Sequence, residues 1–359
     1  MHSPLTTLEV HGKKIGERYP TYFIADIAAN HDGELERAKD LIYLAAEAGA
    51  DAAKFQHFQA ATIVSDHGFK SLQTLQSHQA KWKDSVFDVY KAASVNLDWT
   101  GELKETSEKA GIPFFTTPYS LDVVDYMDDF VPAYKIGSGD ITWLEMIERV
   151  ASKQKPYFLA TGASTTDEVH RAVCAALAIN PQFALMQCNT NYSASLENFK
   201  FIQLNVLKTY RAMYPDMVLG LSDHTPGHAT VLGAVALGAR MVEKHFTDDV
   251  NRVGPDHAFS MDSSTWREMI DRTRELENAL GNGIKRVEDN ESQTVVLQRR
   301  AIRLVRDISE GEFVSSKDLE VLRPCPVDGL PPYRLEEVVG KKLRRTKAKG
   351  QHLCISDIE

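Results

Sequence analysis

The sequence predicts an α/β chain in which a (β/α)8 (TIM) barrel is followed by a small β-rich domain at the C-terminus. Over the first 280 residues, short apolar runs alternate with stretches of helical periodicity. Eight such strand–helix units in about 270 residues match the usual size of this barrel. A polar stretch with runs of charge, residues 281–300, then breaks the pattern.

Eight apolar runs are predicted to be the barrel strands. They cover residues 22–29, 52–58, 113–119, 133–139, 157–162, 183–189, 218–225 and 241–247. Parallel strands that are buried on both faces are continuously apolar, as these runs are. An open doubly wound sheet can also hold eight strands, but no Gly-x-Gly-x-x-Gly motif follows the first run. The closed barrel is therefore preferred.

Seven stretches between and after these runs have the periodicity of amphipathic helices. They cover residues 34–48, 97–110, 142–152, 165–178, 196–213, 228–237 and 263–279. The first is followed by Gly49, which is a typical helix stop signal.

The break in the pattern sets the predicted domain boundaries. Residues 1–282 form the barrel domain, residues 283–299 form a linker, and residues 300–359 form the small domain. A domain of about 60 residues is marginally stable alone, so it is expected to pack against something larger.

Composition excludes several classes of protein. Hydrophobic residues make up 43% of the 359 residues, which is enough to build a core and excludes disorder. A net charge of −9 argues against nucleic-acid binding, and no apolar run approaches the roughly 20 residues of a membrane helix. Four scattered cysteines without a Cys-x-x-Cys motif, and no apolar signal segment, predict reduced thiols and a cytoplasmic location.

Polar residues occupy the carboxyl end of every predicted strand, where barrel enzymes carry their active sites. Each such group would cost about 1–3 kcal/mol if it were buried without a partner, so a shared polar site is the economical explanation. Alternation along a strand places three pairs on a common face: Lys54 with Gln56, Ser222 with His224, and Glu243 with His245.

His224 and His245 end two neighbouring predicted strands. Either histidine alone would be interpreted as a hydrogen-bonding core residue. Two neutral imidazoles that face one pocket, beside Glu243 and Asp256, instead favour a divalent transition metal such as Mn, Fe or Zn.

Lys54 and Lys135 lie inside apolar strands, where an unpaired ammonium group is costly. Three hydroxyl residues end the third, fourth and seventh predicted strands: Thr117, Ser138 and Ser222. Together these groups predict a site for phosphate or carboxylate. The alternative is a structural ion pair of a lysine with Asp26 or Asp140.

The segment NRVGPDHAFSMD follows the last predicted strand. Its Gly-Pro-Asp sequence predicts a tight turn that presents Asp256 and His257 over the barrel mouth. An ordinary connecting turn is the alternative.

Seven motifs together carry a family resemblance. They are, in order, IADIAANHDG, AGADAAKFQHF, TTPYS, AYKIGSGD, GLSDHT, EKHFT and GPDHAFSMD. The chain resembles the sialic acid synthase (N-acetylneuraminate synthase) family, and LVRDISEGE with LEVLRP resembles that family's antifreeze-like (SAF) domain. The resemblance implies a transferase that condenses phosphoenolpyruvate with an N-acetylmannosamine-type aldose, giving a sialic-acid-like 2-keto-3-deoxy acid and phosphate. It also implies a domain-swapped homodimer.

The resemblance assigns roles to matching positions. The metal, most simply Mn²⁺ with Mg²⁺ or Co²⁺ as alternatives, would be bound by His224 and His245. Phosphoenolpyruvate would be held by Lys54, Thr117, Lys135, Ser138 and Ser222. The sugar would contact Gln56, Tyr192, Asp256 and, from the partner subunit's small domain, Arg323. The carboxylates available to handle water are Asp26, Asp140 and Glu243.

Four positions depart from the family pattern. Asp26 and Asp140 stand where glutamate is usual, Ala160 where serine is usual, and Thr190 where asparagine is usual. Two carboxylates that are each shorter by one methylene would leave a wider pocket or shift a proton-transfer group. The acceptor therefore stays open between N-acetylmannosamine, a bacillosamine-derived diacetamido sugar and another aldose. Two rival functions are a metal-dependent barrel aldolase or isomerase, and a non-catalytic glycan-binding protein.

Overall fold

Eight parallel strands close into a barrel in the first of the two compact units into which the chain divides, Met1–Gly281 and Asn282–Glu359. The structure is a computed structural model that describes residues 2–72, 79, 82–192 and 194–359. The strands of the first unit are β1 (Thr7–Val10), β2 (Lys13–Gly16), β3 (Tyr22–Asp26), β4 (Ala52–His57), β5 (Phe114–Pro118), β6 (Tyr134–Ile136), β7 (Tyr157–Ala160), β8 (Phe183–Cys188), β9 (Val218–Asp223) and β10 (Ala239–His245).

The barrel consists of β3 to β10, and β10 pairs with both β9 and β3, which closes the cylinder. The predicted (β/α)8 barrel is confirmed. Seven of the strands lie within the runs that the sequence predicts, and β10 begins two residues before its run. Strands β3, β5, β7, β8 and β9 are buried along their whole length, as parallel strands covered on both faces should be.

Helices surround the barrel. They are α1 (Leu35–Glu47), α2 (Ala60–Ile63), α3 (Asp66–Ser71), α4 (Val86–Ala93), α5 (Thr100–Ala110), α6 (Leu121–Met127), α7 (Leu144–Ser152), α8 (Thr166–Ile179), α9 (Val206–Met213), α10 (Ala229–Ala236) and α11 (Ser263–Leu280). The predicted helix 196–213 is divided, because a 3₁₀ helix at Leu196–Phe201 and α9 are separated by Gln203, whose φ is 54°. Helices α2, α3, α4 and α6 are absent from the predictions, since each is too short to show a clear period.

An antiparallel hairpin of β1 and β2 precedes the barrel, and the sequence analysis does not predict it. Leu8, Val10 and Ile15 of this hairpin are buried in one apolar cluster with inward-facing residues of the barrel strands, among them Tyr22 and Phe115. Since Tyr22 begins its strand, the hairpin covers the amino ends of the strands. The carboxyl ends, where the polar residues lie, are left for the site.

The second unit contains two antiparallel strands, β11 (Ala301–Leu304) and β12 (Leu319–Leu322), and two short helices, α12 (Ser292–Gln298) and α13 (Leu335–Val338). Its buried apolar cluster consists of Ile302, Leu304, Ile308, Val314, Leu330, Val338, Leu343, Leu353 and Ile358. Helix α12 lies in the stretch that the sequence predicts as a linker, and it groups with the second unit. The exact division into a barrel domain (1–282), a linker (283–299) and a small domain (300–359) stays a prediction.

Two further observations concern all the residues that the structure describes. Within it, no helix is both long enough and apolar enough to span a bilayer. Cys174, Cys188, Cys325 and Cys354 are all free thiols.

Candidate active site at the carboxyl ends of the barrel strands

The two predicted lysines are buried inside the barrel, and the ammonium groups of both lie near Glu243. Lys54 Nζ donates hydrogen bonds to Asp26 Oδ2 at 2.7 Å and to Thr117 Oγ1 at 3.0 Å. Lys135 Nζ donates to Glu243 Oε1 at 2.7 Å, and this oxygen also lies 3.7 Å from Lys54 Nζ. Glu243 therefore links the two ammonium groups, although it comes from the opposite side of the barrel from Lys135.

Asp26 collects three further contacts at the end of β3. Its Oδ2 accepts a hydrogen bond from Gln56 Nε2 at 2.9 Å, and its Oδ1 accepts one from Ala28 N at 3.1 Å. His245 Nε2 lies 3.6 Å from Oδ2. Burial raises the pKa of Asp26, but the charges of Lys54 and His245, together with the hydrogen bonds from Lys54 and Gln56, hold this pKa below its usual value. Asp26 is therefore an ionised anchor for Lys54.

The predicted imidazole pair is also brought together. The ring centroids of His224 and His245 lie 5.4 Å apart, and the ring of Tyr192 lies 4.4 Å from that of His224. Residue Phe259 packs edge-on against His245 at 4.9 Å. The two imidazoles thus share one pocket that is walled by aromatic rings.

The chemistry of this pair fits a divalent metal. His224 Nδ1 lies 3.2 Å from the backbone oxygen of Asn189, to which it must donate, so its Nε2 is the nitrogen that can bind an ion. His245 Nδ1 is buried without a hydrogen-bond partner among the described residues. Burial lowers the pKa of His245 to about 3, which keeps the ring in the neutral form that metals require.

A cavity of about 390 Å³ opens beside these groups. Its polar side includes Gln56, Ser138, Asp140, His245 and Asp256, and Tyr192 also lines it. Small-molecule sites usually have volumes of about 300–1,000 Å³, so the cavity is large enough for a sugar.

Ser138 and Asp140 lie in a short 3₁₀ helix directly after β6. Ser138 Oγ accepts a hydrogen bond from Gly162 N at 2.9 Å. This hydrogen bond connects the segments that follow β6 and β7. Asp140 Oδ2 is buried and has no partner among the described residues, and burial raises the pKa of Asp140 to about 6. Asp140 is thus a carboxyl group that can change its protonation near neutral pH.

The predicted turn after β10 presents one of its two residues as expected. Asp256 lines the cavity, where its Oδ2 accepts a hydrogen bond from Ala29 N at 3.1 Å. The prediction for His257 is wrong: this ring is fully buried and bonds to Thr247 Oγ1 at 2.7 Å and Asp32 Oδ1 at 3.0 Å. These two partners hold the ring inside the loop, away from the cavity lining.

Arg323 is not part of the barrel, because it belongs to the second unit. It follows β12 in the second unit and is exposed. The second unit also holds the one group of three potential metal ligands found among the described residues, Asp328, His352 and Cys354. Among the residues that the structure describes, no third imidazole, thiolate or carboxylate forms such a group with His224 and His245.

The sequence analysis misses an apolar wall of the cavity. Phe58, Ile63, Val89, Tyr90 and Ala93 form it, together with Trp82. All follow β4 and precede α5, and all but Phe58, which ends a predicted strand run, lie in a stretch for which the sequence predicts no element. The length of that stretch was the available signal, since long insertions in compact barrels are usually functional.

The chain matches two family descriptions. The NeuB family matches residues 41–285, and the SAF domain matches residues 299–359. The N,N'-diacetyllegionaminic acid synthase of Legionella pneumophila is 33% identical over 353 residues, which cover 97% of this chain and 97% of that protein. The N-acetylneuraminate-9-phosphate synthase of Homo sapiens is 29% identical over 333 residues, covering 92% of this chain and 91% of that protein.

A solved structure agrees with these sequence matches. The crystal structure of N-acetylneuraminic acid (sialic acid) synthetase from Leptospira borgpetersenii serovar Hardjo-bovis has a TM-score of 0.70 and 27% identity. The similarity covers 82% of this chain and 97% of that one. The predicted resemblance to sialic acid synthases with an SAF domain is confirmed, and with it the prediction of an enzyme of the transferase class. This chain belongs to the NeuB family.

Proposed function

We propose that this chain condenses phosphoenolpyruvate with an N-acetylmannosamine-type aldose to give a nonulosonic 2-keto-3-deoxy acid and phosphate. One observation carries the proposal: two buried ammonium groups and two imidazoles meet at the same end of a barrel, beside a cavity of about 390 Å³. Membership of the NeuB family supports it, since relatives in this family are named as sialic and legionaminic acid synthases.

Lys54, Lys135 and the hydroxyl groups near them form the proposed phosphoenolpyruvate subsite. Thr117 Oγ1 lies 3.0 Å from Lys54 Nζ, and Ser222 Oγ lies 3.4 Å from Lys135 Nζ. Ser138, at the end of the neighbouring strand β6, completes the set. Ammonium and hydroxyl donors are the usual partners of phosphate and carboxylate oxygens.

The charge balance of this subsite calls for another cation. Asp26 and Glu243 already neutralise the two lysines, so a phosphorylated carboxylate would bring excess negative charge into a buried site. His224 and His245 would hold a divalent metal here, most simply Mn²⁺ with Mg²⁺ or Co²⁺ as alternatives. When bound, such an ion supplies Lewis-acid polarisation of the sugar's aldehyde oxygen.

The cavity fits an N-acyl sugar on two grounds. Gln56, Asp256 and Asp140 offer hydrogen-bonding groups for hydroxyls on one side. Phe58 and Ile63 offer an apolar surface for the methyl group of an acetamido substituent on the other. A wider pocket, as the short side chain of Asp140 provides, also suits a second acyl group.

The residues then have distinct tasks in the reaction. The methylene carbon of phosphoenolpyruvate forms the new carbon–carbon bond with the aldehyde carbon, water adds to the enol carbon, and the carbon–oxygen bond to phosphate breaks. Lys54 and Lys135 neutralise the carboxylate and the departing phosphate. Asp140, with a pKa near 6, takes the proton that the attacking water releases. Asp26 and Glu243 hold the lysines in place.

An acceptor panel tests the proposal. The chain is mixed with phosphoenolpyruvate and Mn²⁺, and with N-acetylmannosamine, a diacetamido aldose or mannose as the control without an acyl group. We expect phosphate release and a product whose mass equals acceptor plus phosphoenolpyruvate plus water minus phosphoric acid, with mannose the poorest acceptor. Conversion of an aldose without phosphoenolpyruvate would instead support an aldolase or isomerase. Glycan binding without turnover would support the non-catalytic function.

The metal requirement has its own test. Dialysis against a chelator is expected to abolish phosphate release, and added Mn²⁺ is expected to restore it. His245→Ala is expected to stay folded and to show no recovery with Mn²⁺, since one imidazole is gone. Undiminished turnover of chelator-treated His245→Ala would refute the role of this histidine.

We also propose that Arg323 reaches the active site of a partner subunit in a domain-swapped homodimer. Its exposed position on the second unit leaves its guanidinium group accessible. Sedimentation of the full chain checks the dimer, and a monomer with full turnover would contradict it. The cytoplasmic location likewise stays a prediction, which a location-specific tag on the full chain can test.

A further inference from the structure

Three potential metal ligands of different chemistry converge on the surface of the second unit. Asp328, His352 and Cys354 each offer one ligand atom, and these atoms all lie within 4.8 Å of one another. The carboxylate lies between the other two groups: Oδ1 is 3.1 Å from His352 Nε2, and Oδ2 is 3.1 Å from Cys354 Sγ. None of the three has a role in the proposed condensation.

We propose that Asp328, His352 and Cys354 form a binding site for a divalent ion of the zinc class, with water completing the coordination. Thiolate, imidazole and carboxylate are the three side-chain ligands that zinc uses in proteins. Tetrahedral bonds of about 2.0–2.3 Å keep ligand atoms about 3.3–3.8 Å apart. The observed separations need only small side-chain rotations to reach that arrangement.

The backbone already holds the ligand-bearing segments together. Leu330 N donates a hydrogen bond to Leu353 O at 2.8 Å, which joins the loop of Asp328 to the segment of His352 and Cys354. Leu353 N donates in turn to Ile302 O at 2.9 Å, so this segment is tied to β11 as well. Because His352 and Cys354 are two residues apart on an extended segment, their side chains share one face.

Two neighbouring charged residues, Asp357 and Lys347, also hold the segment of His352 and Cys354 in place. Cys354 N donates to Asp357 Oδ2 at 2.7 Å, and Asp357 is fully buried. Lys347 Nζ donates to the backbone oxygen of His352 at 2.6 Å and pairs with Asp357. These contacts involve backbone atoms of His352 and Cys354; the backbone N–H of Asp357 donates in addition to the side chain of Cys354, a hydrogen bond that a metal-bound thiolate can keep. A site of this kind is preorganised, which reduces the ordering cost of binding.

The exposure of the ligands suits a surface site that exchanges ions with solvent. The side chain of Asp328 is 68% exposed and that of His352 is 26% exposed, whereas Cys354 is buried. An ion can therefore enter from the carboxylate side and reach the thiol. Bound metal would crosslink the loop before Leu330 to the C-terminal segment. Small units with few core residues are those that gain most from such a crosslink.

Cobalt titration of the full chain tests the proposal, because Co²⁺ bound to a thiolate gives an intense near-ultraviolet charge-transfer band. Cys354→Ser removes the proposed thiolate. Cys325→Ser is the matched control, since Cys325 lies in the same unit and contacts Gly329 O but is not one of the three ligands. We expect the band in the wild type and in Cys325→Ser, and its loss in Cys354→Ser. No band in the wild type, or an unchanged band in Cys354→Ser, would overturn the site.

Two further measurements guard against a variant that fails to fold. His352→Gln keeps the buried thiol, and we expect it to retain one equivalent of zinc fewer than the wild type after removal of loosely bound metal. In crystals of the full chain grown with Zn²⁺, an anomalous peak is expected within bonding distance of Cys354 Sγ. Equal zinc content in both proteins, or no anomalous peak at this position, would show that the three groups form only a hydrogen-bonded cluster.

Discussion

Two lysine–aspartate pairs lie in the barrel wall at equal depth, yet they do different things. Lys54 pairs with Asp26 on the inner face, and Lys244 pairs with Asp223 on the outer face; each lysine is 1% exposed. Burial and pairing therefore do not distinguish the proposed site from the scaffold. The difference lies in what surrounds each pair.

The outer pair has a complete set of partners. Asp223 Oδ2 accepts hydrogen bonds from Lys244, from Thr225 Oγ1 at 2.8 Å and from Thr230 Oγ1 at 2.7 Å, and its Oδ1 accepts one from Thr225 N at 3.2 Å. Lys244 also donates to the backbone oxygen of Thr225. A buried network that is satisfied in this way stabilises the connection of β9 and β10 to α10.

Several polar groups around the inner pair have unmet hydrogen-bonding capacity. Glu243 Oε2 and His245 Nδ1 are buried without hydrogen-bond partners among the described residues, and Asp140 Oδ2 is in the same situation. Buried atoms of this kind carry an energetic cost that a ligand can relieve. The comparison teaches that unmet hydrogen-bonding capacity beside a cavity, and not the presence of a buried ion pair, marks the site.

The largest expected effect comes from breaking the outer pair. Asp223→Ala leaves the ammonium of Lys244 buried without its charge partner, so we expect the free energy of unfolding to fall by about 3–5 kcal/mol. Urea denaturation measures it. The control is Asp223→Leu with Lys244→Met, which replaces the pair by apolar groups and should recover most of the loss. A wild-type value for Asp223→Ala would contradict a structural role.

Removing an inner lysine should act on turnover. Lys135→Met takes away a cation from the proposed phosphate subsite, and we expect kcat/KM to fall by about 10²–10³-fold. It also removes the nearer of the two ammonium groups that pair with Glu243, so stability should fall too. Adding Glu243→Gln should restore stability but not turnover. If the double variant regained activity, Lys135 would be a structural residue like Lys244.

The contributions of Asp140 and Asp223 to stability should change with pH in opposite directions. Burial raises the pKa of Asp140 from 3.8 to about 6, so its contribution to stability is full below pH 3.8 and is lost as pH rises through 6. For Asp223, burial raises the pKa, but the charge of Lys244 and the hydrogen bonds from Lys244, Thr230 and Thr225 together hold it below its usual value, so the contribution of Asp223 to stability is lost as pH falls.

Urea denaturation of the ligand-free chain between pH 4 and 7 checks the first of these slopes. Relative to Asp140→Asn, the wild type should lose up to about 3 kcal/mol over this range. Parallel pH profiles of the two proteins would mean that Asp140 titrates normally.

The smallest effect is expected from restoring a methylene at the cavity. Asp140→Glu narrows the pocket, so we expect KM for the acceptor to change by roughly tenfold, or about 1.4 kcal/mol. KM for phosphoenolpyruvate should not change, since the carboxylates that bond to Lys54 and Lys135 are Asp26 and Glu243. Steady-state kinetics with each substrate varied separately makes the measurement. An equal change in both KM values would contradict the assignment of Asp140 to the acceptor side of the cavity.

Some of the site was predictable because its geometry is local. A strand alternates its side chains with a period of two, so the sequence places Lys54 with Gln56 and Glu243 with His245 on one face. The structure agrees, with Lys54 and Gln56 both bonded to Asp26. The same alternation puts Lys244 on the opposite face, between two residues of the site.

Other features needed contacts that no local pattern encodes. The sequence leaves Asp26 and Asp140 as equal candidates to pair with a lysine, whereas the structure pairs Lys54 with Asp26 and leaves Asp140 without one. His257 was expected at the mouth, but Thr247 and Asp32 hold it in the loop. The partners come from distant positions in the chain, so spacing alone does not identify them.

The sequence by itself determined the barrel, the face that each strand turns inward, and the residue types at the strand ends, because these depend on periods of two and 3.6 residues. The tertiary structure decided which charges meet. Lys135 on β6 reaches Glu243 on β10 across the barrel interior, and Asp26 lies in register with Lys54 on the neighbouring strand. Such pairings follow from the closure and register of the barrel, and electrostatic energy depends on distance in space, not on separation along the chain.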